Sequence, residues 1–232
     1  GQEYITNLKP TLIKIEEETQ MVLDGATRRV GESTESTVVD EYWEYYSQFS
    51  STNLPDPKKY MGGEFAEMKI IVLLRLFQEH YLNRVYPRSF PTPIIQHSFR
   101  SSKNNPKKPT KFYFVGDTHG SFIDTVKLIK NFVHKFRETE KDGIDIRTVW
   151  IGDFVDRNQL DIHNLLYIMT FNLKFPDRVL LLRGNHEEIS ISGNYGVGKN
   201  VIDNFSKMLF ASFNRSKERR VGKECRSRWS PY

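Results

Sequence analysis

The sequence is very poor in cysteine, since Cys225 is the only one among 232 residues. A single thiol cannot form an internal disulfide framework or a zinc site built from several cysteines. The chain also shows no basic and then apolar leader at its start. These two features predict a reducing, cytoplasmic compartment.

Long apolar runs are lacking as well. The longest aliphatic run, residues 70–74, ends at Arg75, whereas a membrane-spanning helix needs about 20 apolar residues. We therefore expect no membrane partner. With 38% hydrophobic residues, the chain can nevertheless bury a core, because chains that stay disordered are much poorer in apolar side chains.

An excess of one charge is missing from most of the chain. The formal net charge is +5, but residues 215–232 alone contain seven basic and two acidic side chains. Residues 1–214 are therefore neutral, with 27 charges of each sign. The basic composition of the whole chain thus gives no reason to expect a nucleic-acid partner.

The basic tail, RSKERRVGKECRSRWSPY, resembles the translation of a common sequencing adapter, with Lys217 as the one mismatch. We interpret residues 215–232 as a non-native tail rather than as a solvated basic tail or a nucleic-acid-binding arm. On this interpretation the natural sequence departs from this one near Asn214, so the chain is truncated at its C-terminal side.

Composition divides the rest of the chain into two segments. Residues 101–110, SSKNNPKKPT, are polar and contain prolines, which is typical of a linker. Residues 1–100 form an N-terminal, mainly helical segment of unknown role, and residues 111–214 form a second unit.

Helical spacing is clearest at two places in the N-terminal segment. Trp43, Tyr46 and Phe49 share one face of a helix, where core packing is a commoner role than ligand stacking. The pattern predicts helices over residues 38–49 and 64–85, and short strands or loop over residues 1–35.

The second unit alternates between strands and helices. Such an order predicts an α/β fold with a mostly parallel sheet and flanking helices. In these sheets, ligands bind beyond the carboxyl ends of the strands. The predicted strands cover residues 111–115, 147–151 and 178–182, and the predicted helices cover residues 121–137, 161–173 and 201–213.

Each predicted strand leads directly into a polar cluster, GDTHG, GDFVDR or RGNHE. Taken singly, such clusters are more often turns or helix caps, but turns explain three at the ends of consecutive strands poorly. Carboxylate, imidazole and amide groups bind divalent metals, and two such ions together promote attack on phosphorus. The candidates are Asp117, His119, Asp153, Asp156, Asn185 and His186, with Arg157 and Arg183.

The motifs GDTHG, GDFVDR and LLRGNHE resemble the three signature blocks of the phosphoprotein phosphatase family. This family is the serine/threonine phosphatase branch of the calcineurin-like metallophosphoesterases. The resemblance covers about residues 111–198 and implies an incomplete metallophosphoesterase α/β sandwich, the N-terminal portion of a catalytic domain.

The resemblance also implies a metal centre with two divalent ions. Asp117 and His119 would hold the first ion, Asp153 would bridge both, and Asn185 would hold the second. The ions would be manganese, iron or zinc, a choice that the sequence does not make.

The implied reaction is hydrolysis of a phosphomonoester by a water that the metals activate. His186 would be the general acid, oriented by Asp156, and Arg157 would bind the phosphoryl oxygens. The implied substrate is a phosphoserine or phosphothreonine protein, and nothing in the sequence identifies a regulatory subunit.

Two of the departures from the family pattern bear on the proposed site. Asn158 stands where the family has glycine, and we expect the loop to survive because asparagine tolerates a left-handed conformation. The family adds two later histidines and another phosphate-binding arginine, which cannot be placed before Asn214. We therefore expect this chain to hold its first metal better than its second, with weak or no turnover.

Two alternatives remain beside a serine/threonine protein phosphatase. One is a metallophosphoesterase that acts on nucleotides or dinucleoside polyphosphates. The other is a degenerate domain that binds phosphate without catalysis.

Overall fold

The computed structural model describes three stretches of the chain and five isolated residues near its C-terminal side. Predictions for residues 1–32, for most of the linker, for most of the helix over residues 201–213 and for the tail lie outside them. The described residues are 33–81, 109–141 and 143–187, with Ile191, Gly196, Asn200, Val201 and Phe205.

Three strands form a parallel sheet in the order β1-β2-β3. They are β1 (Thr110–Val115), β2 (Asp145–Trp150) and β3 (Val179–Leu181). Phe114 pairs with Val149 across the first pair, and Val149 pairs with Leu180 across the second. The predicted parallel sheet is confirmed, and each predicted strand was placed within two residues of its observed bounds.

Two helices connect the strands and cover one face of the sheet. Helix α3 (Phe122–Lys141) joins β1 to β2, and α4 (Asp161–Lys174) joins β2 to β3. From the sheet, fully buried Trp150 makes edge contacts with the rings of Phe132 on α3 and Phe171 on α4. This packing confirms the predicted flanking helices.

The opposite face of the sheet is more open among the described residues. Because side chains alternate along a strand, Phe112 and Phe114 point away from α3 and α4, and they are 39% and 70% exposed. Ile151, just after β2, is 47% exposed on the same side. The sequence shows that these residues are apolar but not which face of the sheet the helices cover.

The N-terminal helices α1 (Ser33–Ser47) and α2 (Ala66–His80) pack against α4 and share its hydrophobic core. Tyr42 and Tyr46 on α1 are fully buried, whereas Trp43 is half-buried and stacks on Phe171. The predicted core packing is confirmed at Tyr46 and Phe49, and Trp43 packs against the same core, whereas the prediction omits Tyr42.

Helix α2 begins two residues later than predicted, after a short 3₁₀ turn at Gly63–Phe65. Its buried residues are Ala66, Ile70, Ile71, Leu73, Leu74 and Phe77. Phe65 and Met68, which have the spacing of a helical face, are instead 56% and 45% exposed. Neither belongs to the buried core, and periodicity alone does not choose between two apolar stripes.

A buried histidine joins the N-terminal residues to α4. His163 accepts a hydrogen bond at Nδ1 from the Tyr46 hydroxyl (3.2 Å) and donates from Nε2 to the carbonyl oxygen of Asp56 (3.1 Å). Its ring also stacks on Tyr60 at 4.4 Å. Burial lowers the pKa of His163 to about 4, which keeps the ring neutral.

No helix in the described part of the chain combines the length and the apolar character that crossing a bilayer requires.

Candidate active site

The three polar clusters lie at one edge of the sheet, because its strands are parallel and each cluster follows the carboxyl end of a strand. We call them the first loop (residues 116–121), the second loop (residues 151–160) and the third loop (residues 182–187). The structure brings these loops into direct contact.

Hydrogen bonds from the first loop run to the backbone of the second. The N–H groups of Thr118 and His119 both donate to the carbonyl oxygen of Asp153, at 3.1 and 2.9 Å. Gly120 N–H donates to the carbonyl oxygen of Phe154 at 2.9 Å. These bonds fix His119 next to Asp153.

The third loop contacts the second so closely that two glycines are required. A Cβ atom on Gly152, which has φ +106°, would lie 2.0 Å from the backbone nitrogen of Gly184. A Cβ atom on Gly184 would lie 2.1 Å from an Asp153 carboxylate oxygen. A side chain at Gly152 would therefore displace the backbone of the third loop, and a side chain at Gly184 would displace Asp153.

Glu187 is a site residue that the sequence analysis missed. Its buried carboxylate accepts hydrogen bonds from the N–H groups of Asp153 (2.8 Å), Phe154 (2.7 Å) and Gly184 (2.8 Å). Three donors satisfy the charge that burial would otherwise penalise. The only signal in the sequence was an acidic residue directly after His186 in the third cluster.

His119 has the orientation of a metal-binding imidazole. Its Nδ1–H donates to the carbonyl oxygen of Val155 at 3.0 Å, which leaves Nε2 as the free ring nitrogen. Nε2 lies 3.7 Å from a carboxylate oxygen of Asp117. Histidine ligands of metals usually have their other ring nitrogen bonded to a backbone carbonyl or a carboxylate. Nε2 of His119 and the Asp117 carboxylate therefore form a pair of metal ligands that fits a cation.

The ligand atoms of His119, Asp153 and His186 lie within 4.8 Å of one another. His186 is anchored by its own N–H, which donates to Oδ1 of Asp153 at 2.8 Å. The donor set of imidazole and carboxylate groups fits a borderline divalent ion. Asn185, the remaining predicted ligand, is exposed at the start of the 3₁₀ turn Asn185–Glu187.

Asp156 and His186 form a buried pair beside this cluster. Oδ2 of Asp156 lies 2.9 Å from Nδ1 of His186, and the two side chains are 0% and 7% exposed. The Nδ1–H therefore points at Asp156, and the His186 ring meets the ring of His119 edge to face at 4.7 Å.

Backbone strain is concentrated in the same loops. Within the described residues, the non-glycine residues with positive φ are His119 (41°), Asp153 (53°), Asp156 (71°) and Arg157 (69°). Such conformations persist only where the surroundings hold them, and they cluster at functional sites.

The expectation for Asn158 was based on the wrong conformation. Asn158 is absent from the positive-φ residues, and the left-handed turn is made instead by Asp156 and Arg157. The Asn158 side chain accepts a hydrogen bond from the N–H of Leu160 at 3.1 Å. Asparagine thus closes the turn through its side chain, and the exposed Arg157 lies directly before it.

A second acid is buried next to this turn. Asp161, the first residue of α4, is 1% exposed, and burial raises its pKa to about 6, with the charge of Asp156 as a further cause. The sequence analysis placed Asp161 at the start of a helix and gave it no role in the site.

Residues 110–223 match the sequence model of the family described as calcineurin-like phosphoesterase. This part of the chain belongs to that family. The matched residues of this phosphoesterase domain include all three loops, so the family resemblance drawn from the motifs is confirmed. The match also extends into residues 215–232, and the interpretation of that tail as non-native remains a prediction.

The relatives of this phosphoesterase domain include serine/threonine-protein phosphatases. Serine/threonine-protein phosphatase T of Saccharomyces cerevisiae is 27% identical over 173 residues, which cover 70% of this chain and 32% of the relative. Human serine/threonine-protein phosphatase 5 is 31% identical over 111 residues, which cover 47% of this chain and 20% of the relative. The matched part of the chain thus spans a third or less of these relatives.

One solved structure matches with a TM-score of 0.46 and 22% identity, over 66% of this chain and 42% of the other. It is a protein serine/threonine phosphatase from Saccharomyces cerevisiae with similarity to human phosphatase PP5.

Proposed function

We propose that this chain carries part of a metal-dependent phosphomonoesterase, a serine/threonine protein phosphatase. The observation that supports it most is the convergence of His119, Asp153 and His186 within 4.8 Å, beside a buried Asp156–His186 pair. The names of the relatives favour a phosphoprotein substrate over other phosphoesters.

Four residues are proposed to hold two divalent ions. Asp117 and the free Nε2 of His119 face each other at 3.7 Å and would hold the first ion. Asp153 would contact both ions, and Asn185 would contact the second. When bound, the two ions would lower the pKa of a water and neutralise charge on the phosphoryl group.

His186 is proposed to act as the general acid for the leaving alkoxide. Its Nδ1–H is directed at Asp156, and its ring lies 4.7 Å from the ring of His119. A carboxylate in this position fixes the orientation of the ring and compensates the charge of an imidazolium. His186 can thus donate a proton from Nε2 to the seryl or threonyl oxygen.

Arg157 is proposed to bind the phosphoryl oxygens. It is exposed, and it follows Asp156 in the left-handed turn next to the cluster. A guanidinium donates two parallel hydrogen bonds to a phosphate, which fixes the orientation of the phosphoryl group as well as its charge.

A substrate panel tests this function against its two alternatives. The chain, supplied with Mn²⁺, would be given a phosphothreonine peptide, a dinucleoside tetraphosphate and inorganic phosphate. Weak release of phosphate from the peptide, abolished by chelator and by Asp153→Asn, is the expected result. Preferential cleavage of the dinucleotide would favour the nucleotide enzyme, and phosphate binding without any cleavage would favour the degenerate domain.

A further inference from the structure

Asp161 is a buried carboxylate that the proposed reaction leaves without a role. A charged group placed in the interior is costly unless donors surround it. The Ile162 N–H donates to its Oδ1 at 2.7 Å, and Nδ2 of Asn200 lies 3.2 and 3.3 Å from its two oxygens. The Ile162 amide and the Asn200 side chain are both neutral, so these two hydrogen-bond donors bring no positive charge to Asp161.

The same carboxylate reaches the strained turn. A hydrogen bond from the backbone of Asp156 stabilises its ionised form. Asp156 and Arg157 both have left-handed backbones, with φ 71° and 69°. Residues with a Cβ atom hold such a conformation only when neighbouring groups fix it.

The first loop also packs against Asp161. A Cβ atom added to Gly120 would lie 2.9 Å from Cα of Asp161 and 2.8 Å from Cβ of Asn158. Gly120 belongs to the first loop and directly follows His119. Asp161 therefore lies between three parts of the molecule, which are the first loop, the strained turn and Asn200.

We propose that Asp161 is a positioning residue, whose carboxylate, held by Asn200, fixes the Asp156–Arg157 turn in the conformation that binds a phosphoryl group. Asp161 touches neither the substrate nor the metals. It acts by keeping Arg157 directed at the phosphate and Asp156 against His186. The phosphate part of this proposal rests on the proposed function of Arg157.

The donor and acceptor roles of Asn200 and Asp161 can be exchanged by mutation, and this gives a sharp test. Asp161→Ala removes the acceptor, and Asn200→Asp places two carboxylates against each other. In Asp161→Asn the amide oxygen still accepts the Ile162 N–H, and Asn200 can turn its own oxygen toward the new amide. The double variant Asp161→Asn/Asn200→Asp restores one donor and one acceptor with the roles exchanged.

Calorimetry measures two quantities for each variant. One is the affinity of the Mn²⁺-loaded chain for inorganic phosphate, and the other is the affinity of the chain for Mn²⁺. We expect Asp161→Ala and Asn200→Asp to weaken phosphate binding by more than about tenfold. We expect Asp161→Asn and the double variant to stay within about threefold of the unaltered chain, with Mn²⁺ affinity changed by less than about twofold in every case.

Asn172→Asp is the matched control for a general loss of stability. This buried amide lies near the other end of α4, where it donates to the carbonyl oxygen of Val179. The control should lower the melting temperature but not the phosphate affinity. Equal loss of phosphate binding in the control, or a double variant as weak as Asn200→Asp, would overturn the proposal.

A second measurement separates this proposal from the proposed function. If the unaltered chain binds Mn²⁺ but no phosphate, the role of Arg157 in phosphate binding is wrong. Hydrogen exchange of the Asp156 and Arg157 amides in the metal-free chain then decides the role of Asp161. Faster exchange in Asp161→Ala than in Asp161→Asn, at equal melting temperature, supports a positioning role, and equal exchange rejects it.

Discussion

Nδ1 of His186 lies 2.9 Å from Oδ2 of Asp156, and both side chains are buried. This pair joins the second loop to the third, although the two residues are 30 positions apart. Because the Asp156 carboxylate accepts from Nδ1–H, His186 carries a proton on Nδ1.

Replacing Asp156 by asparagine should lower kcat for a phosphothreonine peptide by about 10²- to 10⁴-fold, because the amide can favour the wrong tautomer of His186 and an alkoxide leaves poorly without a proton. The affinity for Mn²⁺ should change by less than about twofold, since Asp156 is not a proposed ligand. Steady-state kinetics and calorimetry measure the two quantities. A kcat equal to that of the unaltered chain would show that His186 does not depend on this carboxylate.

Glu187→Gln should lower the free energy of unfolding by about 2–4 kcal/mol, because an amide NH₂ group would face the backbone donors that the carboxylate now satisfies. It should also weaken Mn²⁺ binding, since Glu187 fixes the backbone of Asp153. Urea denaturation and calorimetry check both effects. The control is Glu138→Gln on α3. The Glu138 side chain is 59% exposed, so this replacement should lower the free energy of unfolding by less than about 0.5 kcal/mol.

Two glycines of the clusters should differ sharply in their tolerance of alanine. A Cβ atom on Gly184 meets Asp153, whereas a Cβ atom on Gly116 meets nothing within 4 Å. Gly184→Ala should therefore cost about 3 kcal/mol and abolish Mn²⁺ binding, while Gly116→Ala should stay within about 0.5 kcal/mol of the unaltered chain. Melting temperatures and metal titrations compare the two, and equal behaviour would contradict the packing of the third loop on the second.

Two buried groups should give opposite pH dependences of stability. The pKa of His163 is lowered from 6.5 to about 4 by burial, so the unfolded chain binds more protons between these values. This contribution to the free energy of unfolding therefore decreases as the pH falls. The pKa of Asp161 is raised from 3.8 to about 6 by burial, so the folded chain binds more protons and its contribution increases as the pH falls.

The two contributions largely offset each other in the unaltered chain, and single variants should reveal them. Between about pH 6.5 and about pH 4.5, Asp161→Asn should lose stability more steeply than the unaltered chain, and His163→Gln should lose it less steeply. Urea denaturation at several pH values measures the slopes. Parallel slopes for all three proteins would show that neither group titrates as proposed.

The two proposed metal sites should be unequal in this chain. The proposal assigns Asp117, His119 and Asp153 to the first ion but, among the residues that the structure describes, only Asp153 and Asn185 to the second. Calorimetry with Mn²⁺ should show one site at least about tenfold tighter than the other, because affinity follows the number of protein ligands. Asp117→Asn should remove the tighter site, whereas two sites of equal affinity would contradict this assignment.

The order of strands and helices could be predicted because it depends on local pattern. The strands and helices between Thr110 and Leu181 lie close to their predicted positions, since apolar periodicity fixes each element. The three clusters could be predicted to share an edge because consecutive strands in such an order are parallel.

Contacts between residues far apart in the chain could not be predicted in this way. Glu187 accepts from Asp153, 34 positions away, and the sequence around Glu187 contains no trace of that partner. The same holds for the left-handed turn, which falls on Asp156 and Arg157 rather than on Asn158. Its position depends on the neighbouring loops.

By itself, the sequence determined the alternation of elements and which side chains stand at the strand ends, because both follow from spacing along the chain. The tertiary structure alone decided which of those side chains meet, which nitrogen of His119 stays free and which acids are buried. Those properties depend on distances between loops and on exclusion of water, and both arise only when the helices and the sheet have packed together.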